Sequence, residues 1–141
     1  MEKQVVLGKH LIAELWVRDP ELIDNPDVVR ESLLAACRKG SFSVINLAVH
    51  EFAPYGVTGV VLLAESHMSI HTWPEYGYAA VDVFTCGEEI DPWKAYEFLR
   101  DSFGAQRFEA REVTRGVFRN GLPVRDMSTF LRTERRIDER A

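Results

Sequence analysis

At 141 residues, with 46% hydrophobic and 28% charged side chains, the chain is the size of one domain that can bury a core of its own. A net charge of -5 speaks against a nucleic-acid surface, and no apolar run approaches the roughly 20 residues that a membrane-spanning helix needs. Two cysteines without CxxC spacing, Cys37 and Cys86, make no disulfide framework, and together with an N-terminus lacking a signal-peptide pattern they predict a cytoplasmic protein.

In chain order, residues 9–17 read as a first strand, mostly apolar with His10 and Glu14 inserted, and Arg18-Asp19-Pro20 breaks it. Asn25-Pro26-Asp27 opens a helix: Asn25 can cap free amides, Pro26 fits the first turn and Asp27 suits the positive helix end. Val29, Leu33, Ala36 and Cys37 recur at helical spacing, which makes Cys37 a core thiol, and Gly40 closes the helix. Residues 42–52 read as a second strand, with Ile45, Leu47 and Val49 on one face and Asn46, Ala48 and His50 on the other. After Pro54-Tyr55-Gly56, residues 57–64 form a third strand, apolar enough to predict a central position.

The fourth strand, residues 67–73, alternates Met68 and Ile70 with His67, Ser69, His71 and Trp73. Pro74-Glu75-Tyr76-Gly77 turns the chain into a fifth strand, residues 78–85. Asp91-Pro92 opens a second helix to about residue 102, with Ala95, Phe98, Leu99 and Phe103 as its buried side and Gly104 as its stop. Residues 107–118 alternate Arg107, Glu109 and Arg111 with Phe108 and Ala110, the pattern of an edge strand with one solvated face. The charged tail, residues 133–141, is predicted to be flexible.

Clustered strands and few helices predict a single α+β domain over residues 1–141. It would be a two-layer sandwich, a largely antiparallel sheet with two helices on one face. His67, Ser69 and His71 would lie on the face without helices, and a homodimer packing sheet to sheet would cover them.

The chemistry concentrates between residues 65 and 87. The Ser66 hydroxyl follows the Glu65 carbonyl directly; given a base and a stabilised oxyanion it could attack that carbonyl, although planar amides ordinarily resist. His71 reads either as a hydrogen-bonded structural residue or as a base. Cys86, next to Gly87, reads either as a buried thiol or as an accessible one. A metal site is a rival, since His67 and His71 share a strand face and His50 or Cys86 could add ligands. Four residues along a strand span about 13 Å, too far for one ion unless the strand bends. A serine or cysteine hydrolase would lack a GxSxG elbow.

The run Glu65-Ser66-His67-Met68-Ser69-Ile70-His71-Thr72-Trp73-Pro74-Glu75-Tyr76-Gly77, continuing to Cys86-Gly87, closely resembles the processing region of the short, prokaryotic-type S-adenosylmethionine decarboxylase proenzymes. Gly8-Lys9-His10-Leu11, the stretch from Phe52-Ala53-Pro54-Tyr55-Gly56 to Val60, and Asp91-Pro92-Trp93-Lys94-Ala95 extend the resemblance over about residues 8–100. The resemblance implies that Ser66 attacks the Glu65 carbonyl to form an ester. β-Elimination and hydrolysis then leave a pyruvoyl cofactor at residue 66, giving a β chain of residues 1–65 and an α chain of residues 66–141. It implies that His71 is the acid/base of this processing. The pyruvoyl ketone would form a Schiff base with the substrate amine, and Cys86 would return a proton to the substrate α-carbon. Phe52 and Trp73 would stack on adenine and Glu75 would bind the ribose. The product would be the aminopropyl donor for spermidine.

The family usually has serine in its Gly-Val-Ser-Gly run, where this chain has Thr58. Threonine keeps the hydroxyl, but its methyl restricts the rotamer, which bears on the speed of cleavage rather than its occurrence. Two alternatives stand beside this reading. One is a pyruvoyl-dependent arginine or ornithine decarboxylase of the same fold; the other is a non-cleaving, metal-binding domain.

Overall fold

A computed structural model of the protein describes residues 3–124 and 130–137. Eleven elements follow one another: β1 (Gln4–Val17), α1 (Pro20–Ile23), α2 (Pro26–Lys39), β2 (Val44–Glu51), β3 (Val57–Leu63), β4 (Ser66–Trp73), β5 (Tyr78–Thr85), α3 (Pro92–Ser102), β6 (Ala105–Arg119), β7 (Leu122–Pro123) and β8 (Phe130–Arg136). The strands form one sheet in the order β2-β3-β4-β5-β1-β6-β7, with β8 also on β6, and every described ladder is antiparallel. The expected α+β sandwich is therefore the observed architecture.

Local chemistry explains the helices. The Asn25 side chain accepts from the amides of Asp27 and Val28 at 3.0 and 3.2 Å, and Asp91 accepts from Lys94 N–H at 3.1 Å. Each cap is followed by proline at a position where the missing N–H has no helical partner. Gly40 has an ordinary right-handed φ of -85°; a Cβ there would meet the Asp91 carbonyl oxygen at 2.9 Å. Close approach, rather than a left-handed turn, requires that glycine.

One face of the sheet packs on α2 and α3. Leu11, Ala13 and Leu15 of β1, Met68 and Ile70 of β4, and Val81 and Val83 of β5 close against Leu33, Cys37, Tyr96, Leu99 and Phe103, all essentially inaccessible. The helical contribution differs in detail from expectation: Trp93 and Tyr96 join Ala95 and Leu99, while Phe98 is only partly buried. On the opposite face, Ile12, Val60, Leu62 and Trp73 are exposed, and no described helix lies over them.

Three expectations need correcting. β3 is the second strand from the β2 edge rather than central; its apolar run serves both faces, with Val61 buried and Leu62 half exposed. β6 is not an edge strand, because β7 and β8 pair along its outer side. Its alternating charges meet charges on its own and the next strand, with Glu109 2.7 Å from Arg111 and 4.0 Å from Arg135. The tail expected to be flexible from residue 133 is paired through Arg136, while residues 138–141 lie outside the described residues. Glu134 ties this strand to α3, accepting from Arg100 at 2.6 Å and from the Tyr96 hydroxyl at 3.0 Å. Residues 18–20, expected only as a strand break, lead directly into α1, with proline at its first position.

Candidate active site

The β3–β4 hairpin places Leu63 opposite Ser66, with Ala64 and Glu65 at the turn. Ser66 has φ 143°, a region that L-residues rarely occupy and that strains the backbone beside the Glu65–Ser66 bond. The Glu65 carbonyl oxygen accepts the Cys86 backbone N–H at 2.9 Å and the Cys86 thiol at 3.3 Å. The Glu65 carboxylate accepts from Ser43 N–H at 3.0 Å, which fixes the turn. The carbonyl next to the serine is thus held by two donors aimed at its oxygen, where negative charge would grow if Ser66 attacked.

Cys86 is exposed and borders a pocket of about 290 Å³ that also includes Gly8, Lys9 and Thr85. Cys37 differs: burial pushes its thiol up to about 11, so it stays protonated and inert near neutral pH.

A second cluster lies at the far end of β4. The Thr58 hydroxyl and His71 Nδ1 are 2.9 Å apart, joined because Thr58 and His71 are cross-strand partners. They line a cleft of about 400 Å³ together with Phe52, Tyr55, Trp73 and Glu75. Phe52 and Trp73 are half exposed, so both rings offer area to a ligand. Trp73 leans on Tyr78 at 5.5 Å between centroids, and Tyr78 donates to Glu14 at 2.6 Å. Burial first, then that hydrogen bond, raises the Tyr78 hydroxyl far above its ordinary range and keeps it a donor.

The two clusters are well separated within one copy. At about 3.3 Å per residue, the path from Ser66 to His71 along β4 is about 16 Å. The structure therefore groups Glu65, Ser66 and Cys86, and separately Phe52, Thr58, His71, Trp73 and Glu75. His67 instead stacks on Phe84 with centroids 5.8 Å apart, and among the described residues no three His, Cys, Asp or Glu side chains form a metal-binding group. Sequence reasoning missed Tyr55, Thr72 and Asp24 around the cleft; the Pro54-Tyr55-Gly56 turn was the visible signal, but nothing local tied it to Asp24.

Comparison with known proteins bears on this geometry. The family model for S-adenosylmethionine decarboxylase matches residues 9–116, which include both clusters. The chain belongs to the S-adenosylmethionine decarboxylase family. An S-adenosylmethionine decarboxylase proenzyme of Thermosipho africanus is 47% identical over 118 residues, covering 83% of this chain and 91% of that protein. The corresponding proenzyme of Clostridium kluyveri is 43% identical over 119 residues, covering 84% of this chain and 94% of that protein. The crystal structure of the adenosylmethionine decarboxylase from Aquifex aeolicus superposes with TM-score 0.71 at 35% identity, covering 88% of this chain and 98% of that one. Among the described residues, no helix is long and apolar enough to cross a membrane.

Proposed function

We propose that this S-adenosylmethionine decarboxylase proenzyme cleaves itself at Glu65–Ser66 and then decarboxylates S-adenosylmethionine, giving the aminopropyl donor for polyamine synthesis in the cytoplasm. The observation that carries the processing step is the pair of Cys86 donors on the Glu65 carbonyl oxygen beside a strained Ser66. Attack by the Ser66 oxygen on the Glu65 carbon moves the acyl group from nitrogen to oxygen. The Cys86 N–H holds the oxygen as it becomes negative, and relief of the Ser66 φ favours the ester. Loss of the Ser66 α-proton then expels residues 1–65 as a carboxylate, and hydrolysis of the resulting dehydroalanine releases ammonia. Residue 66 becomes a pyruvoyl group.

The donor set around residue 66 fits such a group, because a small ketone at the head of β4 would face an exposed thiol rather than a packed core. When present, the ketone supplies the electron sink that no protein side chain offers. The chain's own residues do the rest. Phe52 and Trp73 stack on the adenine, with attraction for the adjacent sulfonium, and Glu75 accepts the ribose hydroxyls. Cys86 delivers the proton to the substrate α-carbon, and His71, oriented by Thr58, serves as acid/base during self-cleavage. A cleft of about 400 Å³ suits a nucleoside-sized ligand.

The distance between the clusters supports a homodimer as the working unit, in which His71 and the aromatic cleft of one copy meet Ser66 and Cys86 of another across the helix-free sheet faces. The exposed Ile12, Val60 and Leu62 on that face support the same arrangement. Carbon dioxide release compared among S-adenosylmethionine, arginine and ornithine tests the substrate. Release from S-adenosylmethionine alone is expected, and release from either amino acid instead would contradict it.

A further inference from the structure

The wall of the aromatic cleft is not held by the strands alone. The segment from Phe52 to Gly56 leaves β2 and re-enters the sheet at Val57, and it carries two cleft aromatics, Phe52 and Tyr55. Its own closure is a single backbone bond, Phe52 N–H to the Gly56 carbonyl at 2.8 Å. Its two other anchors come from the end of α1, about thirty residues earlier. The Asp24 carboxylate accepts from the Gly56 N–H at 2.8 Å. The Thr72 hydroxyl donates to the Ile23 carbonyl at 2.8 Å and accepts from the Val57 N–H at 2.8 Å.

Gly56 and Val57 are buried, so an amide deprived of its acceptor there would not gain easy access to water. Gly56 sits at φ 109°, and a Cβ on it would meet the Thr72 carbonyl oxygen at 3.2 Å. The turn is therefore pressed against the strand that carries His71 and Trp73. Asp24 is the one charged group in the clamp, and a charge-assisted bond to a backbone amide is the stronger kind.

We infer that Asp24 is a positioning residue for the substrate cleft: through Gly56 it fixes Phe52 and Tyr55 opposite Trp73, and so sets affinity for the nucleoside part of the substrate. This rests on the function proposed above. Asp24 touches no reacting atom and lies on the cleft side of the molecule, away from Glu65 and Cys86. Its loss should loosen the aromatic wall while leaving self-cleavage and the chemical step in place.

The test uses the self-cleaved, full-length protein with Asp24→Ala and Asp24→Asn, the second keeping an acceptor oxygen. Asp24→Ala is expected to raise KM for S-adenosylmethionine about tenfold with kcat within about threefold, the pattern of lost uniform binding, and Asp24→Asn to recover most of it. Hydrogen exchange provides a readout independent of substrate: the amides of residues 56 and 57 should exchange more than about tenfold faster in Asp24→Ala, with β4 unchanged. An unchanged KM in an active variant, or a kcat loss shared by Asp24→Asn, overturns the inference. Unchanged exchange at residues 56 and 57 overturns it as well, whatever the activity. If the wild type cleaves itself but does not turn over S-adenosylmethionine, while exchange responds as expected, the proposed substrate is what fails.

Discussion

Cys86 donates its backbone N–H to the Glu65 carbonyl oxygen across 2.9 Å, and its thiol approaches the same oxygen at 3.3 Å. One residue thus touches the carbonyl that Ser66 is proposed to attack by two groups, of which only one depends on the side chain. Cys86→Ala keeps the N–H, so self-cleavage should continue, slowed by no more than about tenfold, the worth of one weak hydrogen bond. Turnover should fall by at least about a hundredfold, because the proposed proton donor is gone. A gel time course of cleavage beside a carbon dioxide assay separates the two effects; equal losses in both would be wrong for this account.

The Thr58–His71 bond predicts an ordering among Thr58 variants. Thr58→Ser keeps the hydroxyl and frees its rotamer, so cleavage should be at least as fast as in the wild type. Thr58→Val keeps the shape without the bond and should slow cleavage about ten- to hundredfold, the usual range for a hydrogen bond to a group that charges. The half-time of conversion measured for each variant checks this, and wild-type speed in Thr58→Val would show that the hydroxyl is not used.

Separation of the clusters by about 16 Å predicts complementation between copies. When Ser66→Ala and His71→Ala chains are co-expressed with different tags, the first supplies His71 and the second supplies Ser66. The His71→Ala chain should then be cleaved and the Ser66→Ala chain should not. Failure of both to cleave in verified mixed dimers would place His71 and Ser66 of one site in a single copy.

The two cysteines should react very differently. With the Cys37 thiol pushed up to about 11 by burial, only about one part in a thousand is thiolate at pH 8. Iodoacetamide on the folded protein at that pH should give one adduct, at the exposed Cys86. Two adducts formed at similar rates would mean that Cys37 is accessible.

Helix α2 packs closely on β3 at Gly59. A Cβ there would come within 2.5 Å of Leu33 Cδ1, a buried atom. Gly59→Ala should cost about 1–3 kcal/mol by overpacking, seen as a lower urea midpoint with an unchanged slope.

Much of this architecture was legible locally. The Asn25-Pro26 and Asp91-Pro92 caps, the alternation of β4 and the limits of β5 follow from rules that act within a few residues. What was not legible depends on contacts distant in sequence. The charges of β6 resemble a solvated edge until β8 pairs beside them. The charged stretch after residue 133 resembles a loose tail until Glu134 meets Arg100 and Tyr96. The site itself was half visible: its residues cluster in sequence, yet an extended strand carries Ser66 and His71 apart, so nearness in sequence was misleading about nearness in space. Asp24 gave no sign, since its partner amide lies 32 residues away.

The most direct test of the central claim is denaturing mass spectrometry of the purified protein beside Ser66→Ala. The account predicts that the wild type separates into residues 1–65 and residues 66–141, the latter beginning with a pyruvoyl group and lacking a free amine, while Ser66→Ala remains one chain. A wild type that stays intact, or a Ser66→Ala chain cut at the same bond, would contradict it.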